Sequence, residues 1–170
     1  MLELFREQLR TVGDFEYVLS ARIQRPTADR SHFYLVYGTR SPKGLIEFRN
    51  VEKKAMEAEE LSRLEAKHDK RASKSRQGLL PLYSPRPLVE LRRPEIEKAE
   101  SRLRWQLTQS RTLTYAEARA DMLERYSVTE TELKDLLVGM KNRGQATFNG
   151  MSPRQRKPGD GGTILLGSTA

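Results

Sequence analysis

The sequence predicts an α+β chain: an N-terminal helix and antiparallel strand pair, a long helix, then a C-terminal winged helix-turn-helix. Three observations predict it. Between Phe15 and Ile23 apolar and polar residues alternate in steps of two, as in a strand with one buried face. Two Thr-x-x-Glu capping boxes, at Thr114 and Thr129, each open a run with helical apolar spacing. After the second run, two short β-prone stretches flank a basic, glycine-rich loop.

Leu2, Leu4, Phe5 and Leu9 share a face at helical spacing, so a short amphipathic helix opens the chain and ends near Gly13. Phe15, Tyr17, Leu19, Ala21 and Ile23, alternating with Glu16, Ser20 and Arg22, form the first strand, and residues 33–37 the second. The intervening residues 24–31, with Pro26 and Asp29, suit an antiparallel connection and are too few for a helical crossover. Ser41 before Pro42 reads as an N-cap and first helical position. Leu45, Phe48, Val51, Met56, Leu61 and Leu64 supply the apolar stripe of that helix, which is almost wholly polar beyond Glu65. Gly78, Pro81, Pro85 and Pro87 resist helix. Residues 78–93 therefore read as a linker between residues 1–77 and a domain of residues 94–167, with 81–87 a stiff spacer.

A helix and two strands cannot bury both faces of a sheet, and an isolated strand pair is marginal in water. This half either pairs with another chain or closes a larger α/β domain. The run Phe15-Glu16-Tyr17-Val18-Leu19, followed by Phe33-Tyr34-Leu35-Val36-Tyr37-Gly38-Thr39-Arg40-Ser41-Pro42-Lys43-Gly44-Leu45, resembles the end of the three-Cys-motif partner protein family. In that family a similar strand, a tyrosine-rich strand ending in a small residue and Thr, and a Pro-x-Gly-Leu helix start close a Rossmann-like, methyltransferase-like domain. A winged helix follows it. The likeness covers residues 1–56 in detail and the remainder by architecture. It implies association with a three-Cys-motif protein and a position at the end of a methyltransferase-like domain. The glycine-rich loop and acidic ribose partner of such a domain have no counterpart here, so no catalytic residue and no cofactor carries over. The alternative reading is the C-terminal fragment of a methyltransferase-like enzyme whose catalytic half lies elsewhere.

Pro94 stands as the first residue of a helix in which Ile96, Ala99, Leu103 and Leu107 recur at steps of three and four, and Trp105 reads as core. Behind the box at Thr114 come Tyr115, Ala118, Met122 and Tyr126; behind that at Thr129 come Leu133, Leu136, Leu137 and Met140, stopped by Gly144. A short turn at Ser127 and Val128 separates these two helices. Residues 145–148 and 163–166 form strands, and residues 149–162 the wing between them, with Gly159-Asp-Gly-Gly162 as its turn.

Lys and Arg number 31 against 23 Asp and Glu, a formal charge of +8, which suits an anionic partner. The excess is spread along the chain, with two concentrations. Lys67, Lys70, Arg71, Lys74 and Arg76 are opposed by Asp69 alone; Lys141, Arg143, Arg154, Arg156 and Lys157 are unopposed. The candidate nucleic-acid-binding residues are therefore Lys141, Asn142 and Arg143 at the end of the last helix, with Arg154, Arg156 and Lys157 in the wing. Asn142 is the uncharged base reader among them. Glu130, Glu132 and Asp135 on the same helix oppose a phosphate-lined groove, although a carboxylate can accept from cytosine. Duplex DNA and a partner protein stand side by side as ligands.

The absence of cysteine excludes disulfides, thiolate nucleophiles and Cys-based zinc sites. No apolar run is long enough to span a membrane and no signal-peptide succession opens the chain, which favours the cytoplasm and no membrane partner. His32 and His68 fall in separate elements, and Glu59 and Glu60 on a solvated helix face. No triad order, metal-ligand spacing or phosphate loop occurs, so this chain is expected to lack activity of its own, with no catalytic residue, metal or cofactor.

Overall fold

The computed structural model describes the backbone of residues 1–25, 28–72, 88–151 and 155–167, and within these the side chains outside 25, 28–32, 67–72 and 88. The expected spacer at 81–87, Lys74, Arg76 and Arg154, and the side chains of His32, Lys67, His68, Lys70 and Arg71, lie outside the described residues. Among the described residues the fold is mixed α+β, with five helices and two small antiparallel sheets. None of the described helices is long and apolar enough to cross a membrane.

Helix α1 (Leu2–Gly13) ends at Asp14, whose left-handed backbone lets Phe15 N–H return to Arg10 O. The Phe15 ring then lies against both Gly13 and Gly38, where any Cβ would collide with it, so two glycines admit one aromatic. Strands β1 (Tyr17–Arg25) and β2 (Ala28–Thr39) pair antiparallel with Leu19 opposite Tyr37 and Ala21 opposite Leu35. β2 begins earlier than the aromatic run indicates. α2 (Pro42–Ala72) follows, with Lys43 N–H donating to Ser41 Oγ at 3.2 Å, in keeping with a cap before Pro42.

The N-terminal apolar faces are only partly used. Leu45 is buried and Phe48 half-buried, stacked on Tyr37 with ring centroids 5.2 Å apart. Val51 and Leu61, expected in the α2 stripe, are exposed, as are Leu4 and Phe5 of α1. A thin layer explains this: two strands offer one helix-width of surface, and side chains beyond it have nothing to meet.

α3 (Leu88–Ser110) starts before Pro94, so residues 88–93, expected at the end of the linker, are helical. Proline removes the N–H that would reach the carbonyl of Glu90, but that carbonyl belongs to the exposed first turn. Arg92 in the same turn is buried and anchored: its guanidinium donates to both Glu132 carboxylate oxygens at 2.7 and 2.8 Å and to Ser127 O at 2.8 Å. Trp105 is 53% exposed rather than core. Lying two residues from both Leu103 and Leu107, it projects from the opposite side of the helix, with the Arg102 guanidinium 4.5 Å from its ring centroid.

β3 (Thr112–Thr114), α4 (Tyr115–Arg125), α5 (Glu130–Asn142), β4 (Ala146–Asn149) and β5 (Thr163–Leu166) complete the chain. Both capping boxes form, at Thr114 with Glu117 and at Thr129 with Glu132. The second sheet has the order β3-β5-β4, with Ile164 opposite Leu113 on one side and Phe148 on the other. β3, three residues before a capped helix, has no strand pattern of its own.

One buried cluster joins Leu103, Leu107, Tyr115, Met122, Leu123, Leu133, Leu137, Met140 and Ile164 to Leu19 and Leu45 of the N-terminal half. Polar contacts seal the same junction. The buried Arg49 guanidinium donates to Leu123 O at 2.6 Å and Glu124 O at 3.1 Å, which are carbonyls a helix C-terminus leaves without partners. The outer edge of β1 is closed by side chains: Arg6 donates to Val18 O at 2.6 Å and Arg49 to Ser20 O at 3.3 Å, while Val18 N–H donates to Glu124 at 3.0 Å.

Candidate functional site

The capping box at Thr129 fixes where α5 starts and hence which residues turn outward. Glu132 N–H donates to Thr129 Oγ1 at 3.3 Å, and Thr129 N–H to Glu132 Oε2 at 2.8 Å. From that start Leu133, Leu136, Leu137 and Met140 face the core. Thr131, Lys134, Asp135, Val138, Lys141 and Asn142 form the opposite stripe at three- and four-residue steps, exposed or half-buried. Thr131, Lys134 and Val138 complete a face of which charge alone indicated only the end. They are found by turning the wheel away from the buried positions.

Lys141 and Asn142 are exposed at the C-terminal end of α5, with Lys141 Nζ 5.4 Å from the centroid of the Phe148 ring on β4. Arg143 points elsewhere. Its guanidinium donates to Glu100 of α3 at 2.8 Å and to Gln145 at 3.1 Å, and Glu100 is shared with Arg104. Arg156 and Lys157 are exposed on the loop joining β4 to β5. Lys157 Nζ donates to the Asp135 carboxylate, which brings this loop alongside the outward stripe of α5. Lys141, Asn142 and Lys157 thus attach to one region, and Arg143 is drawn toward α3.

The loop is held at its base. Tyr115 N–H donates to Gly162 O at 2.9 Å, Arg119 pairs with Asp160 at 2.5 Å, and Gly162 N–H closes on Gly159 O at 2.7 Å. Gly150 has φ +75, and a Cβ there would come within 2.8 Å of Gly161 O, so the turn out of β4 demands glycine.

The acids of α5 are largely engaged inside the fold. Glu130 accepts from the Tyr115 hydroxyl at 3.0 Å and pairs with Lys134 at 3.1 Å and Arg119 at 3.5 Å. Glu132 accepts from Arg92 and Thr129. Burial pushes both carboxyls up, but hydrogen bonds outweigh it: from Lys134 and Tyr115 to Glu130, and from Arg92 and Thr129 to Glu132. Both end below the ordinary carboxylate range, charged and compensated. Tyr115 is pushed above the ordinary phenol value, first by burial and then by Glu130. Asp135 is the exposed acid of the stripe, its side chain 59% accessible. The opposition expected from three acids therefore narrows to one.

Elsewhere a cleft of about 670 Å³ lies between β1, α2 and α3. Its buried arginines are occupied, Arg49 by Glu52 at 2.7 Å and by carbonyls, Arg92 by Glu132. Among the described residues no group of three His, Asp or Glu side chains is placed to hold a metal. The chemistry offered by α5 and its neighbouring loop is cationic contact with phosphates, beside a helix face carrying hydroxyl, carboxylate, amide and methyl groups. No family model, curated protein or solved structure matches the chain.

Proposed function

We propose that residues 88–167 are a winged helix-turn-helix that binds duplex DNA, with α5 entering the major groove and the loop from 150 to 162 as the wing. The element order α3-β3-α4-α5-β4-β5 and the sheet order β3-β5-β4 support the fold reading. One observation carries the ligand: the outward stripe of α5 and the cationic loop lie together, joined at Asp135 and Lys157, while Glu130 and Glu132 are neutralised internally. Lys141, Arg156 and Lys157 contact phosphates; Asn142 and the stripe before it face base edges.

Fluorescence anisotropy with labelled duplex, single strand and RNA at two salt concentrations tests this. The expected result is tighter binding to duplex, weakened by salt, with affinity and salt slope both reduced in the triple variant K141E/R156E/K157E. Unchanged duplex binding in that variant removes the interface, and absence of duplex binding leaves the module as a protein-docking unit.

A second reading concerns the N-terminal half and rests on β2. Val18 turns its backbone groups toward Glu124 and Arg6, so its opposite number Gly38, and by alternation Val36 and Tyr34, face away from β1. No third strand lies on that edge among the described residues, and Phe33, Tyr34, Leu35 and Tyr37 are 39–52% exposed. An edge of this length and apolarity is a template for a further strand. It agrees with a role as the end of a methyltransferase-like sheet, similar to the three-Cys-motif partner family and associated with a three-Cys-motif protein, the catalytic half lying elsewhere. An in-frame glycine-rich strand-turn-helix encoded upstream of Met1 favours the fragment of a methyltransferase-like enzyme; an in-frame stop codon close upstream weakens that form of the reading and leaves a separate chain to supply the further strand.

A further inference from the structure

We propose that Asp135 and Lys157 form a latch that holds down sequence-independent DNA binding, an inference that rests on the duplex-binding reading of α5 and the wing. Asp135 sits in the middle of the outward stripe of α5, and the partner of its carboxylate is the Lys157 ammonium from the wing. Of the cations on the same helix, Lys134 pairs with Glu130, and Lys141 lies at the far end over the Phe148 ring. The base of the wing is anchored by Arg119 to Asp160 and by Tyr115 N–H to Gly162 O. Among the described residues, Lys157 therefore ties the middle of the wing to the helix.

In the free protein this pair cancels a positive charge against a negative one on the surface that DNA must approach. For Lys157 to reach a phosphate, the phosphate must replace Asp135 as its acceptor. The Asp135 carboxylate is then left facing the groove, where phosphates repel it. The cost of opening the latch weakens contact with any duplex, whatever its sequence. Both side chains are about half exposed, at 48% and 59%, so the pair exchanges readily and its effect is of surface-ion-pair size.

A double-mutant cycle on a random-sequence duplex tests the latch, using wild type, D135N, K157Q and D135N/K157Q across a salt series. The latch predicts that D135N binds about two- to fivefold tighter than wild type, the range that a surface ion pair supports. It also predicts that the gain from D135N shrinks in the K157Q background to the part owed to relieving phosphate repulsion, because there is no lysine left to release. Equal gains in both backgrounds overturn the proposal, since Asp135 then acts by repulsion alone. No gain from D135N overturns it as well. Both positions are on the surface, so all four proteins should melt within a few degrees of one another, which shows that they are folded. If none of the folded proteins binds duplex even at low salt, the duplex-binding reading itself fails and the latch with it; binding by all four without a difference refutes the latch alone.

Discussion

Glu132 accepts hydrogen bonds from the Arg92 guanidinium and from the Thr129 amide and hydroxyl, so one carboxylate starts α5 and fixes the first turn of α3 against it. Burial raises its affinity for protons and these donors lower it further than burial raises it. Glu117 is lowered too, by the Thr114 amide and hydroxyl. A carboxyl depressed in the folded state contributes stability that is complete above its unfolded value, near about 4.3, and is lost as pH falls through the folded one. Thermal unfolding followed from about pH 6 to about pH 3 should therefore show a falling midpoint, with a shallower fall in Glu132→Gln, which starts lower. Parallel acid slopes in the two proteins would contradict this role. The box was legible because Thr-x-x-Glu is local chemistry. That Glu132 is also the partner of Arg92, forty positions earlier in the chain, was not, since nothing in the spacing relates the two.

α4 and α5 are legible in the sequence almost residue for residue, since capping and a buried stripe at Leu133, Leu136, Leu137 and Met140 agree with each other. Pro94 reads as a first helical residue, yet α3 begins at Leu88; the side chain buried ahead of Pro94 is Arg92, whose charge gives no apolar signal in the sequence. Residue type alone favours Trp105 for the core, whereas its angular position places it opposite Leu103 and Leu107. β3 is stabilised by β5, far along the chain, and has no local signature. Arg143 shows the same limit at the candidate site: its charge was visible, its attachment to Glu100 was not. The docking of the β1–β2 hairpin on α4 depends on Arg49, which satisfies carbonyls of both and pairs with Glu52. Its ionisation is made harder by burial, which Glu52 offsets only in part. Arg49→Met should lower stability by about 3–5 kcal/mol in denaturant unfolding, the cost of removing one member of a buried pair, with the carbonyls left open. A loss below about 1 kcal/mol would assign the docking to apolar contacts instead.

For the whole molecule, the cluster that includes Leu19 and Leu45 with Leu123, Leu133 and Ile164 makes the N-terminal hairpin part of the packing of the C-terminal helices. Wild type and Arg49→Met should each unfold in a single transition, seen alike by far-ultraviolet and tyrosine signals; two separated transitions would show independent units. Exposed apolar side chains on α1 and β2 mark where this packing is thin, while the outward face of α5 and the loop beside it concentrate accessible cations and hydrogen-bonding groups. We propose this face as the one that holds duplex DNA. Amide chemical-shift mapping during titration with a short duplex tests it most directly. Binding as proposed perturbs Thr131, Lys134, Asp135, Val138, Lys141 and Asn142 together with Arg156 and Lys157, and leaves β1 and the Trp105 side of α3 unmoved; shifts confined to those latter surfaces, or none at all, would contradict it.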